Sequence, residues 1–247
     1  MVKFIQDLES FLMEHRHHFN SKINITMEQK ESNTMQTNQN TREPAAKPNE
    51  NSGVRLQGHI KIFDPETKEV YVDKRNAIHY ENFSIALASG VSNQETGVIA
   101  EMVFGNGGSR IDPTGIITYL TPNTSGSNSA LYNQTYYKTV DARNPNAVDP
   151  TRNFMEVRHI TGTYYSDILI SCLLDYGEPQ GQQAFDTATL QENAFIFDEL
   201  GLKSYSTSGP NTGLLLTHVI FHPVQKSLNR LIQIDYTIRV QSLTSGT

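Results

Sequence analysis

The chain has 247 residues, 37% of them hydrophobic, a formal net charge of −6 and a single cysteine. That length holds one large β domain or a domain with an appendage, and the acidic balance argues against a nucleic-acid binder, which needs a basic field. One cysteine excludes an intrachain disulfide framework, and no apolar run approaches the roughly 18 residues of a membrane span.

Residues 2–19 carry a helical stripe: Phe4, Ile5, Leu8, Phe11, Leu12 and Phe19 recur at spacings of three and four, with Asp7, Glu9 and Glu14 opposite. Residues 1–26 are therefore expected to be an amphipathic anchor helix. The run is acidic and lacks a small-residue cleavage site, so it is not read as a signal peptide. A helix this short is marginal alone in water and needs a surface for its stripe. Burying Phe4, Leu8, Phe11 and Leu12 contributes about 1.5–3 kcal/mol per side chain before ordering costs. The surface is either its own domain or a neighbouring subunit, and the six stripe residues are the expected partner-binding set.

Residues 27–53 contain no aromatic residue and no Val, Leu or Ile. Such a segment cannot bury enough apolar surface to offset the entropy of ordering it, and it reads as a polar linker arm spanning roughly 30 Å as a coil.

Residues 54–247 form the main domain. VRLQGHIKIF and EVYVD flank a turn at Asp64-Pro65 and Lys68, a hairpin pattern. NAIHYENFSIALASG reads as the one inserted helix, with Asn76 as N-cap, Ile78, Phe83, Ala86 and Leu87 on one face, and Gly90 at its end. Short apolar runs follow: VIAEMVF, GIITYLTP, ALYNQTYYKTV, FMEVRHITGTYYSDILISCLLDYG, NAFIFDELGL and GLLLTHVIFHPV. In the last run, LIQIDYTIRV, Ile232, Ile234, Tyr236, Ile238 and Val240 alternate with polar residues, a strand strong enough to close a sheet. DILISCLLDY is apolar on both faces, as in a central strand, with Cys172 as a small buried residue. Many short strands with Gly-, Pro-, Asn- and Ser-rich loops predict a mainly β domain, an antiparallel β-sandwich of jelly-roll type.

No catalytic signature emerges. FGNGGSR at 104–110 lacks the Lys and following helix of a phosphate cradle, so it reads as a tight turn with glycines at positive φ, across which Arg110 and Asp112 pair. Of His15, His17 and His18, only His15 and His18 share one side of a helix, a pair that lacks the third ligand a metal site usually needs, and the cluster otherwise suits the negative end of a helix. His218 and His222 in a strand stand about 13 Å apart, too far to share an ion. Asp198 and Glu199 are neighbours, so a strand sends them to opposite faces; the plain reading is a turn at a strand end. Tyrosines at 135–137 and 163–167 suit either a contact surface or a core. No cofactor or metal is expected, and no enzyme activity.

GHIKIFDPETKEVYVDKRNAIHYENFSIALA, MVFGNGGSRIDPTGIITYL, FIFDELGL and LLTHVIFHPVQKSLNRLIQIDYTIRV resemble segments of a virion structural protein of large tailed bacteriophages, cyanophages among them. The resemblance covers about residues 55–241 and brings no catalytic residue with it. It implies a particle component, assembled in the host cytoplasm, whose partners are other virion proteins and copies of itself rather than nucleic acid or membrane. An adaptor in the neck, tail or baseplate is the leading placement. A capsid decoration protein is the alternative, and a carbohydrate-binding domain at the receptor-binding end is a third.

Overall fold

The computed structural model describes residues 53–140, 152–182, 184 and 194–243. The expected anchor helix, its stripe of Phe4, Ile5, Leu8, Phe11, Leu12 and Phe19, the linker arm and the His15–His18 cluster lie outside the described residues.

The domain is mainly β and antiparallel. Its strands are β1 (Gly53–Phe63), β2 (Val70–Ile78), β3 (Ile99–Gly105), β4 (Ser109–Ile111), β5 (Ile117–Tyr119), β6 (Gln134–Thr139), β7 (Phe154–His159), β8 (Tyr165–Leu174), β9 (Ala194–Ser204), β10 (Leu215–Ser227) and β11 (Ile232–Leu243). Helix α1 spans Tyr80–Val91. Nine strands form one sheet in the order β6-β3-β9-β10-β2-β1-β11-β8-β7, while β4 and β5 pair as a separate hairpin.

The β1–β2 hairpin forms where the sequence places it. Asp64 accepts from the backbone N–H groups of Glu66 and Thr67, and Lys68 adopts a positive φ to turn the chain. β2 then runs further than expected. Asn76 pairs opposite Gly58 and Ile78 opposite Thr217, so both belong to the strand rather than to the helix. His79 is the N-cap instead, its Nδ1 accepting from the backbone N–H of Asn82. Phe83 and Ala86 face the core as predicted.

The alternating run at the C-terminus is β11, and its Ile232, Ile234, Tyr236 and Ile238 are fully buried. It does not end a sheet. It lies between β1 and β8, paired along nearly its whole length with both. β8 has the expected two-sided burial toward its end, where Cys172, Leu173 and Leu174 are all enclosed.

β2 joins two halves of the sheet. On one side lie β1, β11, β8 and β7; on the other β10, β9, β3 and β6. The joint itself consists of two residue pairs, Thr217 with Ile78 and His218 with Ala77. The sheet curls, so strands far apart in its order face one another. Lys138 of β6 donates from Nζ to the carbonyl of Leu173 in β8 at 2.6 Å. The core fills the concave side with Ile60, Ile62, Phe104, Ile170, Cys172, Phe195, Phe197, Phe221 and the β11 residues. Phe197 lies at its centre, edge-on to Phe104 and Phe221 and stacked on Phe195.

Candidate functional site

The alternation of β9 slips at Asp198–Glu199. Phe195 and Phe197 enter the core at odd positions, and Leu200 and Leu202 enter it at even ones. The neighbouring strand shows the same irregularity as a register shift between Ile220 and Val224. The slip leaves both carboxylates off the core side, and both are buried. They are not a strand-end turn: they sit in the middle of β9 and hold the loops laid over the sheet.

Glu199 takes four hydrogen bonds. Its Oε1 accepts from the N–H groups of Gly107 at 3.1 Å and Asn133 at 2.8 Å. Its Oε2 accepts from the N–H of Tyr132 at 2.9 Å and faces His218 Nε2 at 3.0 Å. The Nδ1 of His218 accepts from the N–H of Asn123 at 2.8 Å. A ring nitrogen that accepts carries no proton, so the ring is the neutral tautomer, with Nε2–H donating to Glu199. Burial raises the Glu199 carboxyl, but the bonds from His218, Asn133 and Tyr132 outweigh it and hold the group below its ordinary range. Asp198 accepts from Gly108 N–H at 2.9 Å, from Ser109 N–H at 2.7 Å and from the Ser109 hydroxyl. Burial nevertheless pushes its carboxyl up.

These contacts explain FGNGGSR, although not as the sequence suggests. None of Gly105, Gly107 and Gly108 has a positive φ. A Cβ on Gly105 would stand 2.5 Å from the Asn133 carbonyl and 2.5 Å from Glu199 Oε1; on Gly107, 2.7 Å from the Asn133 nitrogen. The glycines are there for proximity. The N–H groups of residues 107–109 form an anion nest whose occupants are the protein's own carboxylates. Asp112 does not reach for Arg110; it closes its own turn by accepting from Thr114 and Ile116.

Two further buried polar groups work the same way. His79 holds Gly126 and Ser129 through Nε2 while capping α1 through Nδ1. Lys226 is fully buried and donates to the carbonyls of Asp175, Glu178 and Ser227 at 2.7–3.0 Å. Burial lowers its ammonium to about 8. Cys172 is enclosed, and burial pushes its thiol up to about 12, so the inert reading of this residue holds. His218 and His222 both lie on β10, as expected; His218 is fully buried and His222 exposed. Tyr136 belongs to the core, whereas Tyr164 is exposed and Tyr165 lies under the Arg239 guanidinium.

Two of the clefts on the described surface border the sheet. One, of about 680 Å³, follows β2 where it parts from β10, and is lined by Asp73, Lys74, Arg75, Tyr119 and His222 among others. The other, of about 440 Å³, is apolar and runs between α1 and β7, past Leu87, Val91, Met155, Val157 and Ile168. Among the described residues, no three His, Cys, Asp or Glu side chains group as a metal site, and no helix is long and apolar enough to cross a membrane. Compared with protein-family models, with curated proteins and with solved structures, the chain matches none.

Proposed function

We propose that this protein is a structural component of a tailed-phage virion, an adaptor in the neck, tail or baseplate that binds neighbouring subunits through its β domain and its N-terminal arm. The curled sheet, with halves joined by two residue pairs, is read as a sandwich of jelly-roll type. The observation that carries the reading is the use of the buried polar groups. Glu199, His218, Asp198, His79 and Lys226 are all engaged in fastening loops to the scaffold. The segments that resemble virion proteins contain these residues: His79 and Asn82 in the first, the Gly105–Ser109 loop in the second, Asp198 and Glu199 in the third, His218 and Lys226 in the fourth. That resemblance therefore falls on what makes the domain a rigid block rather than on an open reaction centre. The arm adds a stripe of Phe4, Ile5, Leu8, Phe11, Leu12 and Phe19 for a second molecule to hold across the linker.

The test is deletion of residues 1–53 in a phage that makes this protein. The truncated chain is expected to fold with the same β-type circular dichroism and to be under-represented in purified particles. Equal incorporation overturns the arm's role. A second reading, carbohydrate binding at the receptor end, draws on the cleft along β2, where an exposed Tyr119 ring stands beside Arg75, Asp73 and His222. Binding of an oligosaccharide that is abolished by Tyr119→Ala and leaves assembly intact favours that reading over the first.

A further inference from the structure

The two ends of the nine-stranded sheet are finished differently. β6 is capped: the Gln182 side chain accepts from the Tyr137 N–H at 2.8 Å and donates to the Tyr137 carbonyl at 3.1 Å, imitating a strand partner. β7 pairs with β8 on one side, and no strand among the described residues pairs with it on the other. An open edge is a template for another strand. This edge also borders the apolar cleft, and three exposed apolar side chains lie on or beside the two: Val157 is 69% exposed, Val91 85% and Ile160 61%.

The sequence of β7 is self-complementary. Set two copies of Phe154–His159 antiparallel about a two-fold axis at Val157. Val157 then faces its own copy, Glu156 faces Arg158 of the second copy, and Arg158 faces Glu156. One step further out, Met155 meets His159; two steps further, Phe154 meets Ile160. Residues 155, 157 and 159 share the cleft face, and 154, 156 and 158 the other, so each opposed pair lies on one side of the extended sheet. Within one chain Glu156 and Arg158 already touch, and both are largely exposed, ready to meet a second pair.

We propose that β7 is the edge through which two copies of this chain pair, antiparallel about Val157, with the α1–β7 clefts of both copies closing beside the new ladder. A two-fold contact of this kind is isologous, each residue meeting its counterpart twice. The inference rests on the self-association included in the proposed function and names the surface that carries it.

Charge reversal tests it with an internal rescue. Light scattering behind size-exclusion chromatography, over a concentration series of the full chain, reads the dimer. Glu156→Arg places two arginines against two arginines, and Arg158→Glu places two glutamates against two glutamates. Each single variant is expected to dimerise about tenfold more weakly, since two symmetry-related cross-strand pairs turn from attraction to repulsion. Mixing the two variants restores association as a heterodimer, and the double variant Glu156→Arg/Arg158→Glu restores the homodimer. Unchanged melting curves confirm that the variants are folded. Single variants that associate as the wild type does overturn the β7 pairing and leave self-association standing. A wild type that stays monomeric throughout the series overturns both.

Discussion

Replacing Glu199 by glutamine tests whether the domain depends on its carboxylate pair. The glutamate accepts four hydrogen bonds, two on each oxygen, in a fully buried position. Glutamine keeps the shape but offers one oxygen and an NH2 group. Whichever way the amide turns, two buried N–H donors lose their acceptor. An orphaned buried donor costs about 1–3 kcal/mol, so the substitution is expected to cost roughly 4 kcal/mol. At about 2–4 °C per kcal/mol for a domain of this size, the midpoint falls by roughly 10 °C. Urea denaturation followed by circular dichroism reads the same quantity as a lower midpoint at unchanged slope. The pH dependence adds a second signature. The folded carboxyl titrates below its unfolded value of 4.5, so its contribution is complete above that pH and fades as the pH falls through the folded value. Wild type and Glu199→Gln should therefore converge in acid. A variant within about 1 kcal/mol of wild type at pH 7, or a gap that does not narrow as the pH falls below 4.5, refutes the assignment of Glu199 as the loop fastener.

Gly105→Ala should be destabilising by about 2 kcal/mol or more, because its Cβ meets the Asn133 carbonyl and Glu199 at 2.5 Å; a urea midpoint equal to wild type counts against the proximity role. Phe197→Ala removes the ring at the centre of the aromatic cluster and is expected to cost about 3–5 kcal/mol in the same assay. Cys172 should stay silent to an aromatic disulfide reagent at pH 8 in the native protein and react fully in denaturant, since its thiol is enclosed and pushed up to about 12. Prompt labelling of the folded chain would contradict that.

The sequence shows β11 because every second residue obeys one face, and it shows the β1–β2 turn because Asp64 and Lys68 act on their own neighbours. β9 was recognisable as a strand, but its acidic pair misleads, since a period of two does not reveal a slip. Apart from His218, 19 residues on, the partners of Glu199 and Asp198 lie 66 to 92 residues away along the chain, beyond any local pattern. One signal was available: two acids inside FIFDELGL, an otherwise apolar strand, must be neutralised by something. The start of α1 misled for a different reason. Ile78 stands at helical spacing from the later apolar residues, while tertiary pairing with Gly58 and Thr217 holds Asn76 and Ile78 in the strand. The β7 edge needed the structure, because its self-complementarity matters only once the strand is known to lie at a border of the sheet.

The two-pair joint at β2 sets how the domain would respond to tension. Pulled apart at its two halves, the domain would load a seam of main-chain bonds far shorter than the β1–β11 or β8–β11 ladders beside it. The seam yields first, and what resists after that is the greasy interior rather than the zipper of amides. Parting the halves there breaks few amide bonds, so its cost is set mainly by the apolar surface that the opening would wet.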